Sequence, residues 1–467
     1  MNARVIFYYL GWFATPIAAM SLFLIVFTYF TGNTEQIHLY YFVLLASSSS
    51  FLLGHFFKSD KKLNKIDLLI FILLGFIAYP LIITIPYYLS YYQLNFYLSY
   101  YESFSGFLGY GFSIFNNPAF LNDSLLLWRS GSQWLGGFYY LFITISILSS
   151  LKINFLPTKY ISNQVNSLNF ENKFLDNFYN ILYSYIAFSL FVLLLLNLTN
   201  LNFFEKLNLM MTIVSSGGFY IKEHLLISNK IDSIVIASCF LLSSLNIFIF
   251  HQILKKDKNF NFNEDLKLII FVFVISFLLL AIFPLRDNFY DIFLLVTTSI
   301  STSGIAIGKY SDSYFVNIFL VLTFIGGSIY STGSGFKFLR MTFFIKKFLI
   351  EIVRLLSPST IIKKTIFNNS ETIKSSDYYI ASLIFVFYVV FLLIAILLLS
   401  FDNLTFEQVY KLAFLSLNNT LPSNYIKTNL SFYDLSYLSH FSILFLVFLS
   451  KIHFIAILVI IKKVLWK

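Results

Sequence analysis

The sequence ESFSGFLGYG, residues Glu102–Gly111, closes a short apolar segment that covers about residues 97–110. A helix needs about 20 apolar residues to cross a bilayer, and segments of about 10–14 residues are candidates for re-entrant loops. The closing glycines permit backbone angles that other residues avoid. Irregular backbone at membrane depth is tolerated only where it faces protein or water. This stretch therefore predicts a re-entrant helix followed by an extended segment beside an aqueous path.

Three further short apolar segments repeat this pattern, at about residues 204–216, 289–303 and 406–417. Small or polar residues stand at or just after their ends, in VSSGGF (Val214–Phe219), SISTSG (Ser299–Gly304) and LNNTLP (Leu417–Pro422). Backbone carbonyls that point inward from such segments can replace the hydration shell of an ion. One cluster alone could equally be a helix-packing site of small residues. Four clusters at equivalent positions indicate four walls around one cation pathway.

Longer apolar runs surround these segments. The chain of 467 residues is 58% apolar and 12% charged, with a mean hydropathy of +0.78. A soluble protein has about a quarter of its residues charged, so this composition excludes that class. Ten runs are long enough to be spans, near residues 5–30, 38–56, 66–88, 126–150, 178–200, 231–254, 266–285, 314–330, 378–400 and 438–461.

The basic residues indicate the orientation of these spans. Lys and Arg, which give a net charge of +10, cluster after the second, fourth, sixth and eighth runs and at the end of the chain. All of these positions lie on one side, and a Lys/Arg excess marks the cytoplasmic side. Ten crossings therefore predict a multi-pass protein with both termini in the cytoplasm. The charge needs no nucleic-acid partner, and the single cysteine, Cys239, excludes an internal disulfide.

Together these patterns predict an all-α membrane protein. Four pseudo-repeated M1–P-loop–M2 units, each a span, a re-entrant segment and a second span, surround a central pore, and two extra N-terminal transmembrane helices precede them. The predicted boundaries are 1–60 for the N-terminal helices and 61–152, 153–258, 259–356 and 357–467 for repeats 1 to 4.

The candidate cation ligands are the backbone carbonyls at the end of each re-entrant segment. They belong to Leu108, Gly109, Tyr110, Gly111, Ser216, Gly217, Gly218, Thr302, Ser303, Gly304, Asn419, Thr420 and Leu421.

A candidate gate interrupts the eighth run, where Phe324–Lys337 reads FIGGSIYSTGSGFK. So many glycines and serines disfavour a regular helix, and a break that faced lipid would leave backbone groups unpaired. The alternative is a simple helix kink. Lys451 in the last run belongs with this gate, because a cation deep in a span is functional by default; the alternative is that it snorkels to the interface. The candidate gate residues are Gly326, Gly327, Ser331, Thr332, Gly333, Ser334, Gly335, Lys337 and Lys451.

Several of these stretches resemble one family. WRSGSQWLGG at Trp128–Gly137 resembles the WRSxxQWLGG motif of the TrkH/TrkG/KtrB potassium transporter superfamily. Phe324–Lys337 resembles that family's FIGGxxGSTGGGxK loop, Leu417–Asn419 matches its LNN, and Glu102–Gly111 resembles its ExxSGFTTTG. The two spans ahead of the first repeat are a feature of the TrkH branch.

The resemblance implies potassium uptake across the cytoplasmic (inner) membrane, with K⁺ bound by filter carbonyls and no covalently bound cofactor. It also implies a homodimer, embedded in membrane lipid, that docks a cytoplasmic nucleotide-binding regulatory subunit of the TrkA type. Whether transport is channel-like or a symport with H⁺ or Na⁺ stays open. An enzyme is disfavoured, because the six histidines are scattered and no HExxH-type motif occurs.

The sequence departs from the family pattern at four places. Leu108–Tyr110 replaces TTT, and the third loop is shorter, so either Gly304 or Gly308 could be its filter glycine. Leu421 replaces a glycine, and a non-glycine residue is disfavoured at φ > 0. The fourth segment is therefore expected to present fewer carbonyls, or to use the side-chain oxygen of Asn419. The last span has Lys451 for arginine and His453 for an acidic residue. The alternatives are a weakly selective K⁺/Na⁺ pathway and a degenerate, non-conducting paralogue.

Overall fold

A computed structural model shows a chain built from helices. It describes residues 2–32, 36–58, 63–115, 117–150, 174–221, 229–247, 249–250, 263–282, 288–305, 316–357, 375–422, 425–426 and 435–452. No β-strand occurs within these ranges. The prediction of an all-α membrane protein is confirmed.

The helices begin with three that precede the repeats: α1 (Ala3–Phe13), α2 (Thr15–Thr31) and α3 (Ile37–Phe56). The following nine form three triplets: α4 (Lys65–Leu89), α5 (Phe96–Leu108), α6 (Asp123–Ser150); α7 (Phe174–Leu196), α8 (Phe203–Ser215), α9 (Lys230–Ser244); α10 (Asn263–Ile282), α11 (Phe289–Ile300) and α12 (Val316–Ile325). The remainder are α13 (Phe338–Leu356), α14 (Ser375–Leu399), α15 (Phe406–Asn418) and α16 (Tyr437–Lys451).

The short helices α5, α8, α11 and α15 coincide with the four predicted re-entrant segments, and we call them pore helices. They are enclosed by the longer helices, which explains why their last two turns are buried almost completely. Within the described residues, six helical stretches are long and apolar enough to cross a membrane, the first of them combining α1 and α2. The chain is thus a multi-pass membrane protein.

The second long helix of each repeat joins that repeat to the next. Helix α6 packs against the pore helices α5 and α8, α9 against α8 and α11, and α12 against α11 and α15. Helix α16 packs against α15 and returns to α5, which closes the ring. Four units therefore surround one centre. Three of the predicted repeat boundaries, at residues 60, 152 and 258, lie outside the described residues, and all boundaries stay predictions.

The first predicted span is two helices. The chain breaks at Ala14, two residues before Pro16, which cannot donate a backbone hydrogen bond. Helices α1 and α3 approach closely at Gly11 and Gly54, where a Cβ on Gly11 would lie 3.0 Å from the Cα of Gly54. Close approach through small residues is common between membrane helices.

Helix α13 was not predicted. The sequence interpretation treated the basic residues from Lys337 onwards as one cytoplasmic loop. Instead, Lys337 and Arg340 are buried beside the gate segment, and Phe338–Leu356 is a helix with apolar and basic residues exposed together. The part of that predicted loop at residues 358–374 lies outside the described residues.

Candidate functional site

The four pore helices end in the same backbone turn. Gly109, Ser216 and Asn419 are the C-caps of α5, α8 and α15, and Thr302 directly follows Ser301, the C-cap of α11. Their φ values of 75°, 53°, 53° and 64° lie in the left-handed region. We call these four residues the cap ring. In each case the next N–H donates to the carbonyl five residues earlier, in the pairs Tyr110–Ser105 (3.0 Å), Gly217–Thr212 (2.9 Å), Ser303–Thr298 (3.1 Å) and Thr420–Leu415 (3.0 Å). This bond is the one that closes a helix end of the Schellman type.

This shared turn fixes the register of the four segments that follow, which we call the filter segments: 108–111, 216–218, 302–304 and 419–421. Two residues beyond each cap stand Gly111, Gly218, Gly304 and Leu421. Gly304 thus occupies the position equivalent to Gly111, and both have positive φ, of 68° and 80°. Gly308, the alternative, lies outside the described residues.

Leu421 does not have the strained backbone that the sequence suggested. Neither Leu421 nor Gly218 has a positive φ, so leucine meets no conformational penalty at this position. The premise that this position requires φ > 0 therefore does not hold for Leu421, and the expected shortage of carbonyls in the fourth segment stays a prediction. At this position Gly111 and Gly304 have a left-handed backbone, whereas Gly218 and Leu421 do not.

Contacts between the filter segments bring all four repeats together. A Cβ on Gly111 would lie 2.7 Å from the carbonyl carbon of Gly218, and one on Gly218 would lie 2.9 Å from the Cβ of Leu421. A Cβ on Gly304 would lie 2.9 Å from Cγ2 of Thr420. Glycine is required at these places because backbone or side-chain atoms of a neighbouring repeat fill the space.

Hydroxyl groups on the first two pore helices brace the filter segments from behind. Ser105 Oγ donates to the Phe112 carbonyl at 2.8 Å, and Thr212 Oγ1 donates to the Phe219 carbonyl at 2.9 Å. The Phe219 N–H in turn donates to Gln133 Oε1 at 3.2 Å. The backbone after the first and second filter segments is thus anchored to the pore helix that precedes it.

A buried ion pair supports the same region. Arg129 Nε donates to Glu102 Oε1 at 2.9 Å, and both side chains are almost fully enclosed. Glu102 also accepts from Ile114 N–H at 2.9 Å, while the Arg129 guanidinium lies 4.2 Å from the Phe219 ring centroid. Both residues lie within sequence motifs, but the motifs alone do not indicate that they pair. The sequence signal for this pair is that two opposite charges stand in neighbouring apolar segments, since a charge at membrane depth needs a partner.

The candidate gate forms a compact loop between α12 and α13, which we call the gate loop (residues 326–337). The Phe336 N–H donates to the Phe324 carbonyl at 2.8 Å, and the Phe338 N–H to the Gly327 carbonyl at 3.0 Å, so the loop returns to its starting point. Lys337 Nζ donates to the carbonyls of Ser328 and Ser331, both at 3.2 Å. The segment is a closed loop and not a simple kink, because both of its ends meet.

The gate loop contacts two members of the cap ring. Thr332 Oγ1 and Ser216 Oγ share a hydrogen bond of 2.8 Å, and Thr332 Oγ1 donates to the Val214 carbonyl at 2.9 Å. The Ser334 N–H donates to Thr302 Oγ1 at 3.0 Å. The loop therefore lies directly against the ends of the second and third pore helices. Of its predicted residues, Thr332 and Ser334 make these contacts.

Lys451 approaches the other half of the cap ring. Its ammonium donates to the Thr332 carbonyl at 3.3 Å and lies 3.8 Å from the place of a Cβ on Gly109. Lys451 is only 2% exposed, so it does not snorkel to the interface. Asn419 Nδ2 donates to the Leu108 carbonyl at 2.6 Å and so links the fourth pore helix to the first. His453 lies outside the described residues.

Two carboxylates that sequence reasoning missed anchor the far side of the gate loop. The Ile329 N–H donates to Glu264 Oε1 at 3.2 Å, and the Asn246 N–H donates to Asp265 Oδ1 at 3.0 Å. Both acids begin α10 and are buried. Glu264 thus ties the loop to α10, and Asp265 ties α10 to the segment after α9.

Comparison with known proteins agrees with this geometry. No protein-family model matches the chain. An uncharacterised cation transporter of Methanocaldococcus jannaschii is 29% identical over 286 residues, which is 59% of this chain and 58% of that protein. The Trk system potassium uptake protein TrkH of Halomonas elongata is 24% identical over 279 residues, which is 56% of this chain and 58% of that protein. The alignments thus span less than two thirds of these relatives.

The crystal structure of the potassium transporter TrkH from Vibrio parahaemolyticus matches the fold with a TM-score of 0.81 over 100% of both chains, at 17% identity. The resemblance to the TrkH/TrkG/KtrB superfamily is confirmed. At this identity the likeness to TrkH shows the shared fold. The relatives are named as transporters, which agrees with the prediction that the chain is not an enzyme.

Proposed function

We propose that this chain is the pore-forming subunit of a Trk-type system and carries K⁺ into the cell down its electrochemical gradient. The observation that supports this most directly is the recurrence of one helix-ending turn at all four pore helices, with a left-handed residue and the same backbone hydrogen bond. The C-terminal end of a helix dipole favours a cation. The filter segments that follow supply backbone carbonyls as K⁺ ligands. An interior-negative potential contributes about 2.3 kcal/mol per charge and per 100 mV to inward movement.

In this proposal the structure represents a closed state. The gate loop bonds to Ser216 and Thr302, and the Lys451 ammonium lies beside Gly109. A fixed cation repels a permeating one by about 2 kcal/mol at 8 Å and an effective dielectric constant near 20. Conduction therefore requires the loop and the ammonium to move away from the cap ring.

Growth at low K⁺ tests the proposal. A bacterial strain without its own K⁺ uptake systems should grow at low K⁺ when it expresses this chain together with a TrkA-type regulatory subunit. Purified protein in proteoliposomes should admit K⁺ in preference to Na⁺. Expressed and membrane-inserted protein that neither restores growth nor carries K⁺ would support the non-conducting alternative.

A weakly selective K⁺/Na⁺ pathway is the second candidate. It is favoured by Leu421, whose side chain packs on Gly218 at the level of the filter glycines. The number and field strength of coordinating oxygens set selectivity. Equal K⁺ and Na⁺ fluxes in the same proteoliposomes would select this candidate.

We also propose that the chain forms a homodimer in the cytoplasmic membrane, has both termini in the cytoplasm and docks a cytoplasmic regulatory subunit. Helix α13 offers a surface for such contacts, because Phe348, Leu349 and Leu355 are exposed beside Lys346 and Lys347. Mass measurement in mild detergent and in lipid nanodiscs tests the dimer, and accessibility of cysteines introduced near the ends of the chain tests the orientation.

A further inference from the structure

A cavity lies behind the gate loop, at the place where the loop meets the helices α13 to α16. It is lined by Gly335 and Phe336 of the gate loop, Arg340 of α13, Tyr388 of α14 and Ser450 of α16. Its volume is about 310 Å³ when the open mouth is included. The filter segments and the cap ring, all of which the structure describes, contribute no lining residue. The cavity is therefore separate from the candidate cation pathway.

The charged group in the wall of this cavity is Arg340, which stands in the first turn of α13 and is 7% exposed. Among the described residues its guanidinium makes one hydrogen bond, from Nη1 to the Phe336 carbonyl at 3.4 Å, and no ion pair. This bond is longer than the usual N–H···O range of about 2.7–3.2 Å. A guanidinium carries several further N–H donors. Arg340 therefore presents both unused donors and an unpaired charge to the cavity.

Positive charge exceeds negative charge around Arg340. Lys337 and Lys451 are buried as well, and Lys337 interacts electrostatically with both Arg340 and Lys451. Of the carboxylates that the structure describes, Glu264 is the one that interacts with Lys337 and Arg340. Buried charges are costly unless they are paired. Water in the cavity can satisfy the N–H donors of Arg340 but cannot compensate its charge, so the chemistry of this place calls for an anion.

The remaining groups of the wall are compatible with an anion. The Tyr388 hydroxyl already donates to Asn418 Oδ1 at 3.2 Å, and Ser450 Oγ donates to the Val447 carbonyl at 2.7 Å. No carboxylate stands among the described lining residues, where it would repel an anion. Helix α13 carries three further basic residues and one acidic residue, so its own field also favours negative charge.

We infer that this cavity binds a phosphate group, which the Arg340 guanidinium holds through parallel hydrogen bonds. The planar fork of a guanidinium matches two oxygens of a phosphate, and such charge-assisted pairs are stronger than neutral hydrogen bonds. The phosphate comes from an anionic phospholipid of the bilayer or from a phosphate ion in solution. The inference goes beyond the proposed function, since the site requires a folded chain and not a conducting one. Because Gly335 and Phe336 form one wall, a bound phosphate joins the gate loop to α13.

The test measures the melting temperature of the purified full chain in maltoside micelles, which contain no phosphate. A ligand that binds the folded state alone raises this temperature in proportion to its concentration and affinity. In the first arm, sodium phosphate replaces sodium chloride at constant ionic strength. In the second arm, phosphatidylglycerol is added to the micelles in phosphate-free buffer, and phosphatidylcholine is the comparison.

Two substitutions at the site are compared with a control. Arg340→Gln removes the charge and the fork, whereas Arg340→Lys keeps the charge without the fork. Arg354→Gln is the matched control, because it removes an arginine of the same helix whose side chain is exposed and pairs with Glu351. Ser450→Leu fills the cavity from α16 and leaves Arg340 in place, so it serves where Arg340→Gln does not fold.

The melting temperature of the wild type and of Arg354→Gln should rise in at least one arm, and the arm that responds identifies the source of the phosphate. Arg340→Gln should weaken this binding about tenfold or more, as expected for lost hydrogen bonds to a charged group. Arg340→Lys should be intermediate, and Ser450→Leu should also bind less well than the wild type. A wild type that responds in neither arm, or an equal response in the wild type, Arg340→Gln and Ser450→Leu, would overturn the phosphate site.

Discussion

The Lys451 ammonium lies 4.3 Å from the ring centroid of Tyr140, so a cation–π contact joins the last helix of the fourth repeat to the last helix of the first. Tyr140 is 1% exposed, and Lys337 Nζ lies 5.8 Å from the same ring. No described carboxylate forms an ion pair with Lys451. The tyrosine ring and the Thr332 carbonyl therefore supply the negative potential around this buried ammonium.

Replacing Tyr140 tests this contact. Tyr140→Leu should raise basal K⁺ influx several-fold, because a desolvated cation–π contact contributes about 2 kcal/mol. Tyr140→Phe keeps the ring and should stay near the wild type. Lys451→Ala should raise influx at least as much, since it removes the charge itself. Equal influx in Tyr140→Leu and Tyr140→Phe proteoliposomes would show that the ring does not restrain Lys451.

The ion pair Arg129–Glu102 is expected to stabilise the fold of the first filter segment. Arg129→Met should lower the free energy of unfolding by about 3–5 kcal/mol, because it leaves a buried carboxylate without its partner. The double variant Glu102→Gln with Arg129→Met should lose less. Arg354→Ala is the control, since its pair with Glu351 is exposed and contributes about 0–1 kcal/mol. Thermal unfolding in detergent measures all three, and equal losses from Arg129→Met and Arg354→Ala would refute the assignment.

Gly218 of the second repeat lies against the side chain of Leu421 of the fourth repeat, so that position 218 has no room for a larger residue. Gly218→Ala should reduce K⁺ influx strongly, because its Cβ would lie 2.9 Å from the Cβ of Leu421 and 3.0 Å from the Tyr110 carbonyl oxygen. Adding Leu421→Gly removes the Cβ of Leu421 and with it the first of these contacts, so part of the influx should be restored. The K⁺/Na⁺ flux ratio of Leu421→Gly alone is the companion measurement. A double variant no better than Gly218→Ala would show that the Tyr110 contact dominates.

Lys337 is expected to hold the gate loop closed. Lys337→Met removes a buried ammonium that bonds to several carbonyls of the loop, and it should increase K⁺ influx. The buried carbonyls that lose a donor each cost about 1–3 kcal/mol, which favours a loosened loop. Lys347→Met, on α13 outside the loop, is the control. Deleting residues 331–334 should act in the same direction, and unchanged influx in both variants would mean that the loop does not gate.

Asp402, which follows α14, gives the stability of the fold a pH dependence. Partial burial acts to raise the pKa of its carboxyl, but hydrogen bonds from Ser436 and Ser439 and the nearby His440 hold that pKa below its ordinary value of 3.8. The pKa of this carboxyl is therefore lower in the folded chain than in the unfolded chain. The ionised carboxylate contributes its full stabilisation above pH 3.8, and this contribution is lost as the pH falls through the pKa of the folded state. The melting temperature of Asp402→Asn should then depend less on pH in this acidic range than that of the wild type. If the melting temperatures of Asp402→Asn and the wild type changed with pH in parallel, Asp402 would not be the source of this pH dependence.

The sequence alone predicted the positions of the pore helices and of most spans, because apolar length and Lys/Arg placement act along the chain. It also identified Thr332, Ser334 and Lys451 near the gate. It did not reveal the roles of Glu102, Gln133, Glu264 or Tyr140, since each depends on a partner that is distant in the sequence. The backbone angle of Leu421 was misjudged because residues at equivalent positions of the four repeats do not share one conformation.

The gate loop passes into α13 without any intervening linker. Lys337 is both the N-cap of α13 and the residue whose ammonium gathers the loop carbonyls. A rigid helix transmits displacement along its axis, and the end of α13 at Leu355 and Leu356 is exposed. A displacement of this exposed end by a bound partner would therefore be transmitted directly to the gate loop, because α13 begins where the loop ends.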